Sequence, residues 1–108
     1  MLVGVPKEIK NHEYRVGLTP QSVRELAAQG HPVLVEQDAG AGIGASDDEY
    51  RASGAAVVDT AEELYARAEL IVKVKEPQAA ERKKLRPGQV LFAYLHLAPD
   101  PEQAKDLA

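Results

Sequence analysis

Cysteine is absent from these 108 residues, tryptophan is absent too, and phenylalanine and methionine occur once each. Without a thiol there is no disulfide framework and no thiolate chemistry, and the expected home is cytoplasmic. Long apolar runs are also missing. None approaches the roughly 20 residues that a spanning helix requires. The opening Met1-Leu2-Val3-Gly4-Val5-Pro6 lacks the charged region and cleavage site of a signal peptide. No sign of charge dominates: Lys and Arg number 13 against 17 Asp and Glu, a net charge of −4. That mild acidity argues against nucleic acid or an anionic membrane as a partner. The three histidines are dispersed with no ligand spacing, so no metal is expected. Neither a Gly-x-Ser-x-Gly elbow nor a Walker loop occurs. What is present is ordinary globular composition, 44% hydrophobic and 28% charged, enough for one domain.

Hydrophobic periodicity predicts strands and helices in alternation. The strands are Leu2–Val5, Pro32–Glu36, Ala55–Val58, Leu70–Val74 and Gln89–Leu95. Thr19-Pro20 opens a first helix with Val23, Leu26 and Ala27 on its buried face, and Gly30 closes it. Ser46 caps a short helix whose first turn holds Asp47, Asp48 and Glu49. Thr60 and Glu63 form a capping box for a third helix, and Ala79–Leu85 forms a charged fourth. Single helices between strands favour a parallel sheet with right-handed crossovers. The run Val90–Leu95 reads as a strand covered on both faces. The predicted class is α/β, an open, mostly parallel sheet with helices on both faces, flavodoxin-like or Rossmann-like.

Three ionisable residues follow the carboxyl ends of such strands: Arg15, Lys75 and His96. Ligands of open α/β sheets bind at that edge. Arg15 lies in a loop too long for a minimal connection, and its guanidinium can grip a carboxylate with two hydrogen bonds. Lys75 can polarise a carbonyl oxygen. The bland alternative is that Lys73 and Lys75 both reach solvent with their stems along the sheet. His96 titrates near neutrality and suits general acid or base work. His12 and His31 have no such setting and are expected at the surface. Two cations and an imidazole at one crevice suit a small anionic substrate and a proton transfer.

Gly40-Ala41-Gly42-Ile43-Gly44-Ala45 formally meets a dinucleotide fingerprint, with Asp59 at the end of the following strand. A pyrophosphate needs free N–H groups and positive potential at a helix start, whereas three acidic residues occupy that turn. The glycines are therefore expected in a tight, close-packed loop. A phospho-acceptor receiver reading of Asp59 also fails, since Pro6-Lys7-Glu8 follows the first strand where an acidic pair is needed.

Gly4-Val5-Pro6-Lys7-Glu8-Ile9-Lys10, Glu13–Pro20, Val35-Glu36 with Ala39–Gly42, Val72–Pro77 and Phe92–Ala98 together resemble bacterial alanine dehydrogenases, over essentially the whole chain. Gly17 stands where that family commonly has alanine, and His12 where it has asparagine. The resemblance implies reversible, NAD-linked oxidative deamination of L-alanine to pyruvate and ammonia. It implies that Arg15 and Lys75 bind the substrate's carboxylate and carbonyl region. His96 is then the acid/base or a hydrogen-bond partner of the carbonyl oxygen, and Glu8 is an orienting carboxylate behind them. It further implies a hexamer, and NAD held by a downstream domain with a catalytic aspartate.

Residues 1–108 are accordingly expected to be the N-terminal part of a substrate domain, with the NAD-binding domain lying outside the chain. Asp100-Pro101 starts a helix with no closing cap, which fits that expectation. One alternative is the N-terminal domain of a nicotinamide nucleotide transhydrogenase α subunit, which resembles the first motif but typically lacks the lysine matching Lys75 and the Tyr-Leu-His-Leu run. The other is a non-catalytic ligand-binding α/β domain.

Overall fold

A computed structural model describes residues 1–9, 13–75 and 77–93. Five strands, β1 (Val3–Val5), β2 (Val33–Glu36), β3 (Ala56–Val58), β4 (Leu70–Lys73) and β5 (Val90–Ala93), form one sheet in the order β3-β2-β1-β4-β5. Every pairing is parallel, with Val3 opposite Val33 on one side and Leu70 on the other. This is the Rossmann-type order, not the flavodoxin one, so the direction of winding reverses between β1 and β4.

Four helices connect the strands: α1 (Pro20–Ala28), α2 (Asp47–Ala52), α3 (Ala61–Arg67) and α4 (Ala79–Arg82). Alternation along the strands supplies two cores. Val3, Val5, Val33, Val35 and Val72 pack with Val23 of α1 and Tyr50 of α2. Leu34, Val58 and Ile71 face the other way, against Leu64 and Tyr65 of α3. Helices thus cover both faces, as expected.

Cap chemistry sets the helix bounds. The Thr19 and Ser46 side chains accept the N–H groups of Ser22 and Glu49, and Glu49 returns the bond to complete a capping box. Gly30, at φ +90°, follows the last turn of α1 in a conformation costly for other residues. At α3 only half the expected box forms. Thr60 accepts from Glu63 N–H, but the Glu63 carboxylate pairs with Arg67 one turn on.

The last strand corrects a second expectation. Val90 and Phe92 are 50% and 53% exposed, so β5 is a sheet edge with one bare face among the described residues. His31 is half-buried rather than free at the surface, with Nδ1 3.5 Å from the N-terminal amine. His12, His96, the run at 94–97 and the helix expected after Asp100 lie outside the described residues.

Candidate active site

The winding reverses at β1, and the loop leaving β1 runs past the carboxyl ends of its two neighbours, β2 and β4. That loop is tied down on two sides by carboxylates. Glu36, at the end of β2, accepts the Lys7 N–H at 2.9 Å. Burial raises the Glu36 pKa above the ordinary carboxylate value. Glu8, itself buried, accepts the Val74 N–H at 3.0 Å and the Lys75 N–H at 3.2 Å. The carboxylate expected to orient the site therefore reaches the backbone of Lys75 directly.

Behind Glu8 stands Lys73, and here the surface reading is overturned for Lys73, while Lys75 stays partly exposed. Lys73 is 1% exposed, with Nζ 2.8 Å from Glu8 and 2.9 Å from Glu81. The Tyr65 hydroxyl donates to the Glu81 carboxylate at 3.3 Å, and burial followed by Glu81 pushes the phenol well above its usual range. Burial prevails over exposure because two carboxylates compensate one ammonium, a condition without which a buried charge is very costly. Lys73 falls on an otherwise apolar strand, and that mismatch was the available signal. It calls for acidic partners, which Glu8 and Glu81 provide.

A cleft of about 240 Å³ lies between the loops that leave β1 and β2, lined by Lys7, Glu8, Glu13, Tyr14, Arg15, Asp38, Ala39, Ala41 and Gly42. Glu13 organises it. Its Oε2 accepts the Arg15 backbone N–H at 2.8 Å and Nε at 3.1 Å, and its Oε1 accepts Nη2 at 3.0 Å. Lys75 Nζ lies 3.7 Å from the same Oε1. The Glu13 side chain is only 3% exposed, while that of Arg15 is 60% exposed. Hydrogen bonding from Arg15 lowers the Glu13 carboxyl from 4.5 to about 2, and the same bond raises the guanidinium. Of the three residues predicted to converge, the structure brings Arg15 and Lys75 together on this carboxylate. His96 lies outside the described residues. Glu13 was visible in the motif but carried no role. Its position two residues before an arginine in an irregular loop has no periodic signature.

The glycine loop supports this arrangement from below. A Cβ on Gly42 would collide with the Tyr14 backbone carbonyl, so only glycine lets the loop pass beneath the Glu13–Arg15 segment without a shift. Tyr50 donates its hydroxyl to the Leu18 carbonyl at 2.8 Å, and burial pushes its pKa to about 12. The loop is close-packed, as expected.

The same loop does not fit a dinucleotide. At the start of α2 the N–H groups of Ser46 and Glu49 are taken by each other's side chains, Asp47 accepts the Asp38 N–H, and the six-residue helix carries three acidic residues in its first turn. The negative charge of that turn opposes a pyrophosphate. Among the described residues no group of His, Asp and Glu is arranged to hold a metal, and no helix is long and apolar enough to cross a membrane.

Comparison with known proteins agrees with these features. An alanine dehydrogenase of Methanococcus maripaludis is 50% identical over 99% of this chain, which spans 29% of that relative's length. A solved L-alanine dehydrogenase superposes with a TM-score of 0.92 at 50% identity, covering 99% of this chain and 29% of the other. A crystal structure of transhydrogenase from Sinorhizobium meliloti gives 0.90 at 34% identity, covering 99% and 32%. The chain thus spans under a third of the proteins it matches. The family model for the N-terminal domain of alanine dehydrogenase/PNT matches residues 4–108, and the chain belongs to that family.

Proposed function

We infer that this chain is the N-terminal part of the substrate domain of an NAD-dependent L-alanine dehydrogenase, which interconverts L-alanine and pyruvate with ammonia. The observation that carries this is the state of the Arg15 guanidinium. Its Nε–Nη2 edge is held by Glu13, while Nη1 has no partner among the described residues and the side chain is largely exposed. An oriented guanidinium with one open edge is a receptor for a single carboxylate. Lys75 sits beside it, its backbone fixed by Glu8 and its ammonium near Glu13. A 2-oxo acid gripped by Arg15 would present its carbonyl oxygen to that ammonium, which stabilises developing negative charge. His96 is the proposed acid/base on the carbonyl oxygen. The dinucleotide, assigned to a domain outside these residues, supplies the hydride chemistry when bound.

Other features of this reading follow the family: a cytoplasmic enzyme, assembled as a hexamer, acting on small molecules. The transhydrogenase reading has the fold similarity in its favour. The placement of Lys75 in the site favours the dehydrogenase, since the transhydrogenase domains typically lack the matching lysine.

Steady-state kinetics of the full-length enzyme with alanine, pyruvate and NAD(H) test the assignment. Loss of charged hydrogen bonds worth about 1.5–3 kcal/mol should raise KM for pyruvate roughly 10- to 100-fold in Arg15→Ala, with kcat less affected. His96→Ala should instead cut kcat by about 10²-fold or more while leaving the fold intact. Near-native kinetics in both variants would refute the site.

A further inference from the structure

The carboxylate at the centre of the cleft does more than hold its neighbours in place. We propose that Glu13 is a specificity residue that restricts the Arg15–Lys75 site to monocarboxylates and rejects substrates or inhibitors carrying a second carboxylate.

The restriction follows from the charges that share one locus. Arg15 and Lys75 each contribute a cation within reach of Glu13, and Glu13 returns one negative charge. The other charged groups facing the cleft add no further positive charge: Lys7 and Asp38 are of opposite sign, and Glu8 shares the single charge of Lys73 with Glu81. Around Glu13 itself two cations meet one carboxylate, which leaves one positive charge at that locus to pair with a ligand. A monoanion neutralises it. A dianion leaves an excess negative charge within a few ångströms of Glu13, whose side chain is shielded from solvent screening by its burial. Geometry acts in the same sense. The guanidinium edge that a second carboxylate would need is already occupied by Glu13 through Nε and Nη2. The depressed carboxyl pKa keeps this negative charge in place at neutral pH.

This selectivity rests on the substrate assignment above, and oxamate and oxalate separate the two. They are similar in size, but oxamate carries one charge and oxalate two. The full-length enzyme should bind oxamate more tightly than oxalate, with dissociation constants read by calorimetry. In Glu13→Gln the oxalate-to-oxamate ratio of affinities should rise at least about tenfold. Glu13→Asp, which keeps the charge, should stay near the parent ratio. An unchanged ratio in a folded Glu13→Gln enzyme would overturn the proposal. So would parent enzyme that binds oxalate as tightly as oxamate, a result available even if the variant does not fold. Absence of alanine-dependent NAD reduction by the parent enzyme would instead sink the substrate assignment itself.

Discussion

Arg15 and Glu13 show how little of a site's internal logic a linear pattern conveys. Arginine after a strand end was recognisable because a long polar loop in an α/β chain calls for a reason to exist. The partner two residues earlier was not, since loops impose no spacing rule that would bring Nε and Nη2 onto its carboxylate. One measurable result of that pairing is an acid limb. The Glu13 carboxyl titrates at about 2 when folded against 4.5 ordinarily, so the unfolded chain binds its proton more readily. Its stabilisation is complete above pH 4.5 and disappears as pH falls toward 2. Acid unfolding followed by circular dichroism should show a shallower loss across that window in Glu13→Gln than in the parent. Equal slopes would show that the Arg15 bond contributes nothing to folding.

At the scale of elements, the alternation of strands and helices was readable across the described residues, because strand runs of branched residues and explicit caps leave few alternatives. Thr19, Ser46 and Gly30 act as their positions in the sequence suggest. The half-formed box at Thr60 shows the limit: Glu63 has two partners in reach, and spacing alone cannot rank a backbone N–H against Arg67. Lys73 marks a deeper limit. Periodicity assigns a lysine to solvent, whereas here β4, α4 and the β1 loop meet around it through Glu8 and Glu81. Lys73→Met should cost about 3–5 kcal/mol in chemical denaturation, because two buried carboxylates lose their counter-ion. Adding Glu8→Gln and Glu81→Gln should recover a large part of that loss. A parent-like midpoint for Lys73→Met alone would show the cluster to be energetically idle.

For the whole molecule, the class of fold was legible but the strand order was not. The orders 3-2-1-4-5 and 2-1-3-4-5 share one succession of elements and differ only in where the winding reverses. Among the described residues Val90 and Phe92 are about half exposed, and the acidic start of α2 opposes a pyrophosphate at the glycine loop. The 108 residues alone should therefore show no alanine-dependent turnover and no enhancement of NADH fluorescence on titration. Saturable NADH binding would contradict the assignment of the dinucleotide to another domain.

The paired register of β1 and β4 runs through Val3–Leu70 and Gly4–Ile71, and beyond it the two backbones part. Where they part, Glu8 spans to Val74 and Lys75, and Glu36 does the same on the opposite flank at Lys7. Side chains thus serve as extra rungs after the peptide ladder gives out. The gape of the candidate cleft is gauged by the length of a glutamate arm, so an aspartate at either place, one methylene shorter, would leave the rung unjoined.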